Sequence, residues 1–406
     1  MRFTHSYKAT LVTCFLGYVT QAIAINLLPL LFVTFQREFS VSLEQLGLLI
    51  TVSFIVQMTV DLLATRYGDL IGYRTGSIAS QVTAVLGLVS LGVLPYCLPD
   101  PYVGLMIGTV LMAIGGGLIE VLISPIVDAL PGESRPGLMS LLHSFFSWGF
   151  LAVVLLSTVY FAVCGIENWR WLPMLWAIPP FITALLFCVV PLPDPKTEEG
   201  GNKTVLRRLL ASPQFWLMML LMLCAGSSEI AASQWASLFA EVGLGVPKAM
   251  GDLIGPCGFA LLMAISRVYF AGGQRAKNMT CSLTACGLGC VCGYLLIVLS
   301  PWPLLSLAGF AVCGFSVGLM WPGVLSLGAK AFPMGGTAMF SLLALCGDIG
   351  CSIGPGIVGG ISNALQRVGE PTLIALKWGI AVAAMFPFLL FICVRLLCRI
   401  RMRETS

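Results

Sequence analysis

Four residues of one predicted helix combine a carboxylate with small or polar neighbours at a spacing suited to proton chemistry. In GGGLIEVLISP (residues 115–125) and the residues that follow, Gly116, Glu120, Ser124 and Asp128 are spaced by four. This spacing puts them on one helix face, where the protonation of a carboxylate depends on local hydration. Glu120 is therefore a candidate for proton coupling or solute binding. The alternative is a structural hydrogen bond to a neighbouring helix.

The composition indicates that this helix belongs to an integral membrane protein. Hydrophobic residues make up 58% of the 406 residues and charged residues only 10%, whereas soluble domains are about 25% charged. The net charge of +4 is small and scattered, which argues against a nucleic-acid partner. The fifteen cysteines lie mostly alone in apolar runs, without CxxC metal spacing. We expect no metal, no cofactor and no enzymatic activity.

About twelve segments reach the roughly 20 apolar residues that a membrane-spanning helix needs. The one long polar stretch, PLPDPKTEEGGNKTVLRR, separates six of them from the other six. The sequence therefore predicts an all-α membrane protein of twelve transmembrane helices in two pseudo-symmetric six-helix bundles. The predicted parts are an N-terminal bundle at 1–191, a cytoplasmic linker at 192–211 and a C-terminal bundle at 212–406.

The distribution of lysine and arginine predicts the orientation of the chain. With both termini in the cytoplasm, seventeen of the 22 basic residues fall on the inner side. We therefore expect a multi-pass protein of the plasma (inner) membrane, in contact with lipid and functional as a monomer.

Polar stripes recur on other predicted helices. A lipid-facing carboxylate at mid-helix costs roughly 2.5–3.5 kcal/mol on insertion scales, so we expect these stripes to face a water-filled cavity. They comprise Ser53, Gln57 and Asp61 on the second helix, Ser140, His143 and Ser147 on the fifth, Glu229, Ser233 and Ser237 on the seventh, and Asp348 and Ser352 on the eleventh.

The loop after the second predicted helix carries a family motif. TRYGDLIGYR (65–74) keeps Asp69, Gly72 and Arg74 of the pattern GxxxDRxGRR, and it departs from the pattern at Thr65, Leu70 and Tyr73. In this respect the chain resembles the major facilitator superfamily, in which the loop latches the outward-open state. The resemblance implies a gating role for the three retained residues. The alternative is a cytoplasmic turn with an orienting arginine.

Three further stretches are similar to the fucose permease branch of that superfamily, whose members are sugar:proton symporters. They are GGGLIEVLISP, LLHSFFSWG (141–149) and AGSSEIAASQW (225–235). In that branch an acid on the first helix joins the fourth-helix glutamate, but the first helix here offers only Gln21 and Asn26. Either Glu229 replaces the missing acid, or the substrate and the coupling scheme differ.

These observations predict an alternating-access transporter that moves a small hydrophilic solute, a sugar or polyol, together with a proton. A drug or metabolite antiporter is the alternative, although the glycine run typical of antiporters lies on the eleventh helix (350–360) rather than the fifth. The predicted proton-coupling residues are Glu120, Glu229, Asp348 and His143. The predicted solute-binding residues are Gln21, Asn26, Gln57, Glu120, Ser233, Gln234, Trp235 and Trp321. His143 and the two tryptophans could instead be packing residues.

Overall fold

The computed structural model describes residues 6–131, 135–193, 201–246, 250–251, 253–272 and 278–404. Within these ranges the chain is almost entirely helical and contains no β-strand. Twelve helical segments of the described chain are long and apolar enough to cross a membrane, which confirms the predicted fold class. We number them spans 1 to 12: Tyr7–Leu30, Gln45–Gly68, Tyr73–Cys97, Pro101–Ala129, Gly137–Cys164, Trp171–Val189, Pro213–Leu244, Leu253–Ala271, Met279–Leu299, Pro303–Ala331, Gly336–Arg367 and Thr372–Cys398.

Several spans are extended or interrupted. The helices of spans 2 and 5 run over Leu43–Ile71 and Arg135–Cys164, and span 1 is followed by a helix at Phe32–Phe39. The interrupted spans consist of Trp171–Trp176 and Ile178–Val189 in span 6, a π-helical turn Leu253–Cys257 and Gly258–Ala271 in span 8, Pro303–Val317 and Met320–Ala331 in span 10, and Thr372–Ala383 and Met385–Glu404 in span 12. A 3₁₀ turn at Ile166–Asn168 and a helix at Gly201–Ala211 complete the described elements.

Helix ends follow local sequence rules. Ser42 and Gln45 form a reciprocal capping box before span 2, which satisfies two backbone donors that the first turn leaves unpaired. Asp100 accepts a hydrogen bond from the backbone N–H of Tyr102, and Pro101 takes the first helical position of span 4, where its missing N–H costs nothing. The helix that carries Glu120 therefore begins at a position that its own sequence specifies.

The chain forms two compact units. Unit 1 comprises Met1–Gly132, Phe145–Leu206 and Met334–Leu342, and unit 2 comprises Glu133–Ser144, Arg207–Pro333 and Leu343–Ser406. The first turns of span 5 thus belong to unit 2, whereas the rest of that span belongs to unit 1. The predicted bundle boundaries stay a prediction, and the predicted linker contains the helix Gly201–Ala211.

Spans 7 and 11 pack closely within unit 2 at glycine positions. A Cβ added to Gly350 would lie 2.1 Å from the carbonyl oxygen of Leu223, so only glycine permits this approach. The hydroxyl of Ser227 donates to the Gly350 carbonyl at 3.0 Å. Small residues and interhelical hydrogen bonds are the usual basis of helix association in membranes. This packing places the Glu229 helix beside the helix that carries Asp348.

Candidate functional site

In unit 1, Glu120 is the acceptor of two side-chain amides from different spans. Gln21 on span 1 donates to its Oε2 at 2.7 Å, and Gln57 on span 2 donates to the same oxygen at 2.8 Å. All three side chains are buried. The structure thus brings together three residues that the sequence predicted for one site.

Glycine on span 4 permits this convergence. A Cβ on Gly117 would approach Val60 and the Gln57 side chain to 3.0 and 3.4 Å, so span 2 can lie against the Glu120 helix at this level. One turn further along, the hydroxyls of Tyr18 and Ser124 are hydrogen-bonded at 2.8 Å, and Asp128 is buried. The predicted polar face of span 4 therefore points into unit 1.

The two amides hold Glu120 without neutralising it. Both donors are neutral, and two N–H groups on one oxygen suit an acceptor-only carboxylate. Burial penalises the charged form of a carboxylate, and uptake of a proton removes that charge. A carboxylate in this arrangement can take up a proton, and loss of that proton would strengthen the hydrogen bonds from the two amides.

Gln21 also contributes an acceptor. Its Oε1 is buried and has no hydrogen-bond partner among the described residues. Buried polar atoms are nearly always paired, so this oxygen is suited to receive a donor that arrives during function. Asn26, the other polar side chain predicted on span 1, donates to the carbonyl of Ala22 in its own helix at 2.9 Å.

In unit 2, Glu229 faces a cation that sequence reasoning missed. Nη2 of Arg267 on span 8 lies 3.5 Å from Oε2 of Glu229, and both residues are buried. Nη1 of Arg267 donates to the backbone carbonyl of His143 at 3.0 Å. Arg267 interrupts the apolar run ALLMAISRVYF, and that interruption was the available signal.

The other predicted binding residues of unit 2 have varied environments. Ser233 is half-buried, Gln234 is exposed, and Nε1 of Trp235 donates to the Pro355 carbonyl at 3.3 Å. Trp321 is buried, and its ring fills the space beside Gly347. These positions stay predictions as solute contacts.

Two further proton-coupling predictions also lie in unit 2. Asp348 is buried on span 11, and its backbone carbonyl accepts from Ser352 at 3.1 Å. His143 is buried near the beginning of span 5. By this division His143 groups with the Glu229 unit, whereas Glu120 belongs to unit 1.

The predicted gating loop has a defined backbone. Gly72 adopts φ of +73° between spans 2 and 3, a conformation that glycine permits without a steric cost. Arg74 donates to the carbonyls of Phe187, Cys188 and Val190 at 2.7–2.9 Å, and it thereby caps the end of span 6. The side chain of Asp69 lies outside the described part of the structure.

Comparisons with known proteins agree with this architecture. The family model of the Major Facilitator Superfamily matches residues 14–355. The chain is 24% identical to "Membrane protein MosC" of Rhizobium meliloti over 353 residues, which cover 86% of this chain and 82% of the relative.

Two solved structures share the fold. The fucose:proton symporter FucP of E. coli superposes with a TM-score of 0.77 at 18% identity, covering 97% of this chain and 99% of FucP. The proton:xylose symporter XylE superposes with a TM-score of 0.76 at 15% identity, covering 93% and 94%. Members of the matched family are transporters and not enzymes. The twelve spans and the family match together show that this chain is an integral membrane transporter of the Major Facilitator Superfamily.

Proposed function

We propose that the protein is a secondary active transporter that carries a small hydrophilic solute, a sugar or polyol, together with a proton by alternating access. The observation that carries the proposal is the pair of amide hydrogen bonds from Gln21 and Gln57 to one oxygen of Glu120. In this scheme Glu120 binds the coupling proton. We expect both termini in the cytoplasm and a functional monomer.

The contrast between the two buried glutamates supports the choice of Glu120. Glu229 lies beside the guanidinium of Arg267, so its charge is compensated within the protein. The amides of Gln21 and Gln57 that bond to Glu120 are neutral, so uptake of a proton by Glu120 changes its hydrogen bonding to spans 1 and 2. A coupling site needs a carboxylate whose protonation alters the binding of the solute.

The class of solute follows from the donors and acceptors at the same site. Oε1 of Gln21 is a buried acceptor that needs a donor, and a hydroxyl group is a neutral donor. The structural neighbours FucP and XylE are a fucose:proton symporter and a proton:xylose symporter. A polyhydroxylated, uncharged solute fits both observations.

The test uses purified protein in liposomes with an imposed pH gradient, acid outside. Radiolabelled fucose, xylose, glucose and inositol are screened, and proton entry is followed with an internal pH dye. We expect one of these solutes to enter together with protons in the wild type. Glu120→Gln should lose gradient-driven accumulation but retain solute exchange at equal pH, because exchange does not require release of a proton.

The matched control is Glu241→Gln, which removes a half-buried carboxylate near the end of span 7 in unit 2. This variant should still accumulate solute in response to the pH gradient. Gradient-driven accumulation by Glu120→Gln at the wild-type rate would refute the coupling role. Proton-driven movement of cationic amphiphiles in place of sugars would establish the antiporter alternative.

A further inference from the structure

The guanidinium of Arg267 on span 8 contacts three other spans. None of the site residues predicted from the sequence makes such a set of contacts. Its Nε donates to the carbonyl of Gly318 at 3.0 Å, its Nη1 donates to the carbonyl of His143 at 3.0 Å, and its Nη2 lies 3.5 Å from Glu229. The hydroxyl of Ser140 donates back to the Arg267 carbonyl at 2.7 Å. Spans 5, 7 and 10 therefore all meet span 8 at one buried cation.

The contact between Arg267 and the Gly318 carbonyl has a physical reason in the sequence of span 10. Span 10 is interrupted between Val317 and Met320. The residue four positions after Gly318 is Pro322, which has no N–H to donate. The Gly318 carbonyl therefore lacks its ordinary helical partner, and Arg267 supplies the donor. Arginine suits this position because its planar guanidinium presents several donors in fixed directions.

The contact with His143 has a consequence for movement. Residues 133–144 at the beginning of span 5 group with unit 2, while residues 145–164 of the same span group with unit 1. In transporters built from repeats, one bundle rocks against the other. Arg267 and His143 both belong to unit 2, so their bond holds the first turns of span 5 to the helices of that unit against such a movement.

We propose that Arg267 is a positioning residue that latches the beginning of span 5 to spans 7, 8 and 10, with Glu229 as the counter-charge that holds the guanidinium in place. The latch keeps the first turns of span 5 with unit 2. This inference rests on membership of the transporter family and on the contacts of Arg267, and it does not depend on the solute or the coupling ion.

The test measures access to the latched segment without any solute. Ser144 is completely buried at the end of this segment, and no native cysteine lies between residues 98 and 163. Ser144→Cys is therefore labelled with a charged, membrane-impermeant maleimide in purified protein, and the modified peptide is quantified by mass spectrometry. We expect slow labelling in the Ser144→Cys parent and labelling about tenfold faster or more when Arg267→Gln is added, because hydrogen bonds to a charged group are lost.

Three further variants make the result decisive. Arg267→Lys keeps the charge but cannot reach both carbonyls in the same geometry, so labelling should stay fast. The exchange of charges in Glu229→Arg with Arg267→Glu should also stay fast, because the carbonyls of Gly318 and His143 then lack the arginine donor. Gly350→Ala, which disturbs the packing of spans 7 and 11 in unit 2 without removing a contact of Arg267, should leave labelling slow.

The latch is refuted if labelling of Ser144→Cys is the same with and without Arg267→Gln. It is also refuted if the exchange of charges restores slow labelling, since a simple ion pair would then explain the contact. Equally fast labelling in the Gly350→Ala background would mean that general destabilisation, and not a latch, exposes the segment. Failure of the sugar screen would leave this result unaffected.

Discussion

Gln21 and Gln57 donate their side-chain amides to the same oxygen of Glu120, at 2.7 and 2.8 Å, although they lie on different spans. Oε2 of Glu120 therefore links span 4 to both span 1 and span 2. A change in the charge of Glu120 would alter the strength of both hydrogen bonds, and so the contacts of span 4 with spans 1 and 2. In the proposed function, this geometry would couple protonation of Glu120 to the relative positions of three helices in unit 1.

Replacement of either amide with an apolar side chain of similar size should impair transport. Hydrogen bonds to charged groups contribute about 1.5–3 kcal/mol each, so we expect Gln21→Leu and Gln57→Leu each to lower gradient-driven uptake about 10- to 100-fold. The measurement is initial uptake in liposomes at several pH values. Asn168→Leu is the control and should remain within about twofold of wild type, because its amide donates to the Cys164 carbonyl at an exposed turn outside the spans. Equal effects at all three positions would contradict the assignment.

The sequence could nominate the residues of the Glu120 cluster because their signal was local. The four-residue spacing put Glu120 on a polar face, and Gln57 lay on a second polar stripe. Gln21 was proposed because it is one of few polar groups on span 1. The pairing itself could not be predicted, since it depends on how three helices pack.

Arg267 shows where sequence reasoning stops. The positive-inside rule places Arg267 among the inner-side charges, but it says nothing about contacts. The structure buries Arg267 against Glu229, Gly318 and His143. These contacts join residues of spans 5, 7, 8 and 10, which are far apart in the sequence. A local sequence pattern therefore could not predict them. Trp235 similarly satisfies a carbonyl of Pro355, which no spacing rule could indicate.

The packing of spans 7 and 11 yields a stability prediction. Gly350→Ala should destabilise the protein by about 1–3 kcal/mol, because the new methyl group would overlap the Leu223 carbonyl and backbone must move. Gly356→Ala is the matched control on the same helix, where a Cβ meets nothing within 4 Å. It should be neutral or stabilising by up to about 1 kcal/mol, since alanine favours a helix over glycine. Thermal unfolding in detergent, followed by tryptophan fluorescence, measures both, and a lower melting temperature for Gly356→Ala alone would contradict the packing.

The cap that Arg74 provides predicts a smaller effect. The last carbonyls of a helix lack intrahelical partners, and Arg74 donates to three residues at the end of span 6. Because the Arg74 side chain is exposed, water can replace part of these bonds, so Arg74→Gln should cost about 1 kcal/mol. Arg74→Lys should recover part of the loss. Thermal unfolding of wild type, Arg74→Lys and Arg74→Gln under one condition gives the order of their stabilities. Wild-type stability of Arg74→Gln would show that the cap is dispensable.

Glu38, at the end of the helix after span 1, is hydrogen-bonded to two aromatic residues of unit 1, and we call this group the aromatic anchor. Its carboxylate accepts hydrogen bonds from the hydroxyl of Tyr96 and from Nε1 of Trp169. Trp169 is fully buried and contacts Phe35 edge-on at 5.3 Å between ring centroids. Trp169→Phe keeps most of the ring but removes the donor, so Glu38 loses one of two partners, and we expect destabilisation of about 1–3 kcal/mol.

The same measurement separates this anchor from ordinary aromatic packing. Trp171→Phe is the control, because Trp171 is about half exposed, at 51%, and should change the melting temperature little. Combining Trp169→Phe with Glu38→Gln should cost less than the sum of the two single changes, since both remove the same hydrogen bond. Strict additivity would mean that Glu38 and Trp169 act independently, and the stability loss of Trp169→Phe would then come from packing alone.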